Sequence, residues 1–284
     1  SVKNATVTAY HTVGAVVGGT SKKVQIVNNE VTDVQVVADQ TSEYNEVVAG
    51  NAGEVVSYDA TGNCVMEGNV VDDATTAVVK VNTAANLEYQ INNAAADVVV
   101  VFASDISGDI TVDQQENKNV VIDGNGKKYD GTITIDGNSR NDGAETLLIK
   151  NVKFETERSD VYFLEMNSKD GALRYAHNVT VDNCTFKGNE TVVGARFRQC
   201  YNIAFKNCEV ISGHSLAQLY GCSGVTVDGV TVNAESGVSF GTSTNASVKN
   251  STFNVQDYAV RADAEVETTL NIENVTATAK LPVV

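Results

Sequence analysis

Tryptophan is absent from this 284-residue chain, and proline appears once, at Pro282. Proline removes a ladder hydrogen bond inside a sheet, so its scarcity suits strands that are paired on both sides. No apolar run approaches the roughly 20 residues of a membrane-spanning helix, so no membrane insertion is expected of this segment. Basic residues are outnumbered, 20 Lys and Arg against 36 Asp and Glu, for a net charge of −16. Nucleic acid and anionic lipid both require clustered Lys and Arg, so neither is an expected partner. The three histidines, His11, His177 and His214, lie far apart and read as turn or surface residues rather than a metal triad. The five cysteines show no Cys-x-x-Cys spacing and no accompanying His or Cys ligand set, so no zinc site is expected.

What is present is a repeat. Val, Ile and Thr dominate the apolar positions, as suits a densely stacked pleated surface. A short pattern of β-branched, any, β-branched, polar, then Asn or Gly recurs as VVIDG, LLIKN, VTVDN, IAFKN, VTVDG, ASVKN and LNIEN. The copies end at Gly124, Asn151, Asn183, Asn207, Gly229, Asn250 and Asn274, with steps of 27, 32, 24, 22, 21 and 24 residues. One strand and turn per period of roughly 20–30 residues marks a solenoid. With strands of this composition and almost no helix signal, the expected fold is all-β, a parallel β-helix. Cys184 and Cys208 directly follow the repeat Asn, and Cys200 and Cys222 each lie three residues before the repeat strand. Each pair is therefore expected to stack in adjacent rungs about 4.8 Å apart, as a buried thiol stack in preference to a disulfide. Cys64 has no evident partner.

The chain opens on SVKNATV, inside a repeat-like pattern, and closes inside another, which reads as a piece of a longer protein. Residues 1–75 read as a short β-repeat unit, the end of an upstream repeat region, with Asn4 and Asn28 one period apart. Its Gly-spaced runs VGAVVGG (13–19) and VVAGNAGEVV (47–56) resemble the GLUG-type repeats of bacterial surface proteins. Residues 76–284 read as the main β-helix. Within TAANLEYQINNAAA (83–96), Thr83 can cap a helix and Leu87, Ile91 and Ala94–Ala95 recur at helical spacing. A short amphipathic helix is expected there, as the cap that covers the exposed end of the solenoid.

From residue 97 onward, VVIDGNGKKYDG, VTVDNCTF, NIAFKNCEV and GVTVDGVTV resemble the pectate-lyase-like superfamily of right-handed β-helices. The resemblance implies right-handed coiling and an amide ladder of Asn151, Asn183, Asn207, Asn250 and Asn274 inside the turn. The glycosylation sequons at Asn183, Asn250 and Asn274 are then coincidental, because buried residues make poor acceptors.

Each rung carries a second strand about ten residues after the Asn. Alternation points Ala195, Phe197, Ala217, Leu219, Val238, Phe240, Val260 and Ala262 inward. It points Glu165 and Asn167, Arg196 and Arg198, Gln218 and Tyr220, Ser239, and Arg261 with Asp263 outward. Stacked in register, these residues form two columns on one face. Arg forks and a tyrosine along such a strip suit acidic or neutral sugar units lying along the axis. The plainer alternative is a solvated surface with a Glu165–Arg196 pair and an Arg261–Asp263 neighbourhood.

Two enzymatic comparisons go against catalysis. Polygalacturonase-type relatives carry adjacent aspartates where this chain has Gly213-His214-Ser215. A pectate-lyase-type site needs calcium carboxylates beside a basic residue. Only Glu165 and Asp263 lie on the strip, roughly four rungs or about 19 Å apart, too far to share one ion. The loop DGNSRNDG (136–143) reads as a turn in preference to a calcium site, and the Gly-rich stretch at Asp123–Gly126 lacks the helix a phosphate cradle needs. No catalytic residue, resident metal or cofactor is assigned; the acidic composition permits a divalent cation such as calcium. The expected protein is a non-catalytic, monomeric, secreted or cell-surface bacterial β-helix that binds a polysaccharide or surface glycan. A polysaccharide lyase (less so a hydrolase) and a structural spacer are the alternatives.

Overall fold

A computed structural model describes residues 1–9, 12–39, 51–59, 64–72, 74–94, 97–114, 118–137, 143–166, 176–263 and 269–283. The chain groups into two compact units, residues 1–104 and 105–284.

In the second unit the chain coils through three parallel sheets, one strand of each per rung. The repeat strands build the first, from Val120–Asp123 through His177–Asp182 and Tyr201–Lys206 to Leu270–Glu273. The second runs from Ile106–Ser107 through Lys153–Glu155 and Thr231–Ala234 to Thr276–Thr278. The third runs through Ile133–Asp136, Tyr162–Glu165, Val193–Arg198, Ser215–Tyr220, Val238–Gly241 and Tyr258–Asp263 to Leu281–Val283. The parallel β-helix expected from the repeat is the observed architecture.

The alternation that defines the strands also fills the core. Ile122, Ile149, Val181, Phe205, Val227 and Val248 stack in register on the first sheet and are completely enclosed. Tyr129, Phe154 and Phe186 do the same on the second. The Phe154 and Phe186 rings lie parallel with centroids 5.1 Å apart, and Phe163 tilts against both. Such pairs contribute roughly 0.5–1.5 kcal/mol beyond the area they bury.

The turn after the first sheet departs from expectation. The repeat Asn residues adopt the left-handed conformation, with φ of 49–56° at Asn151, Asn183, Asn207, Asn250 and Asn274. That conformation turns their side chains outward, so Asn183, Asn207, Asn250 and Asn274 are exposed rather than buried in the turn. The ladder is also mixed. Asn183 donates to Asn151 (2.8 Å) and Asn274 to Asn250 (3.2 Å). Asn151, Asn207 and Asn250 donate instead to Asp123, Asp182 and Asp228. Burial therefore gives no argument against the three sequons. The inward turn position belongs to the following residue: Val152, Cys184, Cys208, Val230 and Ser251 are all buried.

Cys184 and Cys208 occupy adjacent rungs, as do Cys200 and Cys222, and all are thiols. Their sulfurs donate to backbone carbonyls, Cys208 to Val181 and Lys206 for instance. Burial pushes the Cys184 and Cys200 thiols up, and that of Cys208 to about 11.

In the first unit, Val2–Ala9, Glu30–Asp39, Thr76–Val81 and Val98–Phe102 form a parallel sheet in that order. The two Gly-spaced runs stack on each other, Val13 on Ala52 and Val17 on Val56; residues 47–50 of the second run lie outside the described set. The expected Asn4–Asn28 alignment does not occur. Register places Asn4 one rung from Asp33, while the Asn28 side chain abuts Gly68. All four positions are left-handed, so one local conformation, inside strands at Asn4 and Asp33 and between strands at Asn28 and Gly68, mimics a repeat. The helix forms over Ala84–Asn92, with the Thr83 hydroxyl accepting from the Asn86 N–H at 3.2 Å. Leu87 and Ile91 are its buried face.

Candidate functional site

The third sheet's outer face holds the expected columns. Glu165, Arg196, Gln218, Ser239 and Arg261 follow one another in register, and beside them run Arg198, Tyr220, Gly241 and Asp263. The inward partners are enclosed, apart from a half-buried Ala262. Asn167 lies outside the described residues. Arg196, Arg198, Gln218, Tyr220, Arg261 and Asp263 border one groove of about 850 Å³. Glu165 does not line it.

The charges in this groove are unequal in what they have left to offer. Arg196 is fully engaged. Its guanidinium pairs with Glu165, donates to the Tyr162 hydroxyl at 2.9 Å and lies 4.0 Å over the Tyr162 ring. Arg261 pairs with Asp263 at 2.9 Å, with both side chains largely in solvent. Arg198 is exposed and its guanidinium has no hydrogen bond or ion pair among the described residues. Tyr220, in the next rung, is 55% exposed. Its ring crosses Gly241, where a Cβ would stand 2.7 Å from Tyr220 Cδ2. A flat aromatic face beside an unengaged guanidinium offers stacking to a sugar ring and a forked donor to its oxygens.

The other wall was not anticipated. His214, Glu235 and Asp257 come from successive rungs, in the turns that precede third-sheet strands, and all three border the groove. Backbone bonds fix the turns, with Ser236 N–H donating to His214 and Asp257 N–H to Glu235. His214 Nδ1 lies 2.8 Å from Glu235 Oε2. Simple alternation misses this wall because it fails at the strand starts, where Val193, Gly194 and Ala195 are all buried, as are Ser215, Leu216 and Ala217. The missed signal is spacing: His214, Glu235 and Asp257 are 21 and 22 residues apart, the local repeat steps.

His177, expected in a turn or on the surface, is instead enclosed on a first-sheet strand, with Nε2 3.1 Å from Glu145. It sits at an inward position of the alternation, which its polarity concealed. His11 and residues 138–142 of the candidate calcium loop lie outside the described residues. Among the described residues no three His, Cys, Asp or Glu side chains are grouped to hold a metal ion. No described helix is long and apolar enough to cross a membrane.

A family model described as "Right handed beta helix region" matches residues 99–253. No curated protein and no solved structure gives a significant match.

Proposed function

Since the chain belongs to the right-handed β-helix family, whose fold hosts binding and catalysis alike, we propose from its groove that it is a non-catalytic glycan-binding protein, secreted or displayed on a bacterial surface. The observation that carries this reading is the exposed Tyr220 face beside the unengaged Arg198. From Arg196 to Arg261 the groove crosses three rung steps, about 14 Å, enough for several linked sugars. The acidic chain, at −16, resists self-association and suits an exported protein.

A polysaccharide-active enzyme is the second reading, and the His214–Glu235 pair with Asp257 favours it, because acid–base groups then share the groove with the cations. Binding of acidic and neutral polysaccharides, measured with and without calcium while reducing ends and unsaturated sugars are monitored, separates the two. Binding without product is expected, and the double variant Arg198→Ala, Tyr220→Ala is expected to lose it. Product formation would move the assignment to catalysis. Silence in every channel would favour a spacer or a protein partner.

A further inference from the structure

We propose that His214 and Glu235 form a proton-switched wall of the groove, closed to anionic glycans when the imidazole is neutral and open to them when it is protonated. This rests on the glycan-binding reading and adds which ligand class enters, and when.

The hydrogen-bonding roles follow from the contact. An ionised Glu235 can only accept, so His214 Nδ1 carries the hydrogen in both protonation states. Nε2 has no hydrogen-bond partner among the described residues, and the side chain borders the groove. The neutral ring therefore presents a bare acceptor there, suited to a sugar hydroxyl. The protonated ring presents a charged donor, suited to a carboxylate or sulfate.

The surrounding charges make the change consequential. On its own wall His214 faces Glu235 and, one rung further, Asp257, with Tyr258 beside it. With a neutral ring that wall carries two negative charges and repels an anion. On the sheet face Arg196 is neutralised by Glu165 and Arg261 by Asp263, which leaves Arg198, on the far side by Tyr220, as the unengaged cation. Protonating His214 cancels the charge of Glu235 and turns Nε2 into a donor. A neutral glycan makes one hydrogen bond to Nε2 in either state, so its affinity stays level.

The test uses the sulfated and desulfated forms of one oligosaccharide, because sulfate keeps its charge across the range. Affinity is titrated calorimetrically between about pH 5 and 8 for the unaltered chain, His214→Gln and Glu235→Gln, with far-UV circular dichroism to establish folding. Sulfated ligand is expected to gain about tenfold on acidification, the scale of one charge-assisted hydrogen bond. Desulfated ligand is expected to hold constant. His214→Gln should abolish the gain. Glu235→Gln should raise the affinity for sulfated ligand at the alkaline end of the range, because the wall then carries one negative charge fewer. A flat profile for sulfated ligand, or a gain that survives in His214→Gln, overturns the switch while leaving glycan binding intact. Failure of both ligands at every pH overturns the glycan reading itself, and the switch with it.

Discussion

Single residues decide what the groove can present. Gly241 is the clearest case, because the Tyr220 ring occupies the space a Cβ would take. Its φ is not in the left-handed region, so Gly241→Ala leaves the backbone content and displaces only the ring. A drop in glycan affinity of several-fold is expected with little change in melting temperature; equal affinity would mean that the ring is not a stacking platform. Asp123 shows the same economy in a turn. Burial pushes its carboxyl up, but the Asn151 amide, the Asn125 N–H and Lys150 outweigh that and hold it below the usual carboxylate range. A depressed folded-state value contributes stability above the unfolded value, near 3.9, and loses it as pH falls through the folded one. Asp123→Asn is therefore expected to flatten the acid limb of a stability–pH curve, by less than about 1 kcal/mol at this partly exposed site.

At the scale of strands and turns, legibility followed chemistry. The first-sheet strands were readable because β-branched residues at alternate positions end on Asn or Gly, the two residues that accept a left-handed turn. The same logic gave the Thr83-capped helix. It failed where one local conformation recurs at more than one place in a rung. Asn178, Asn202 and Gly224 are left-handed at the second residue of their first-sheet strands and Asn245 just ahead of its own, and Asn202 donates to Asn178 at 3.0 Å, a second ladder that the end-of-strand pattern does not signal. It failed again at the third-sheet strand starts, where Gly194 and Gly237 let neighbouring rungs close in. A Cβ on Gly237 would meet the Ala259 carbonyl oxygen far inside contact distance. Gly237→Ala is expected to cost about 1–3 kcal/mol, as overpacking does, and to disturb the turn that carries Glu235. Chemical denaturation reads the first effect. An unchanged midpoint would show that the rungs separate freely there. The columns of the groove were legible from alternation, whereas the wall of His214, Glu235 and Asp257 required the register between rungs, which a single rung does not reveal.

Across the solenoid unit of residues 105–284, register itself needs an explanation, since rungs of similar sequence could pair in the wrong order. One outer column of the first sheet supplies it. In successive rungs it reads Asp123, Lys150, Asp182, Lys206, Asp228, Lys249 and Glu273, alternating in sign throughout. Only Lys150 and Asp123 close to an ion pair, at 3.3 Å, so individual contacts contribute little. The alternation acts on the alternatives. If a strand skipped its neighbour and paired one rung further on, a like charge would stand opposite, which is unfavourable in a sheet. Lys206→Glu removes the alternation at the centre, setting three acids side by side in an already acidic chain. The expected cost is about 1 kcal/mol or more at low salt. It should shrink in concentrated salt, where the screening length falls to about 3 Å. Lys206→Gln should cost less at low salt and respond less to salt. Because solenoid stability is a sum of rung and interface terms, the loss at one interface should also broaden the urea transition. A transition equally sharp and salt-insensitive in Lys206→Glu would mean that the core, with Phe205 and Val227 stacked behind this column, sets the order of the rungs without help from the charges outside it.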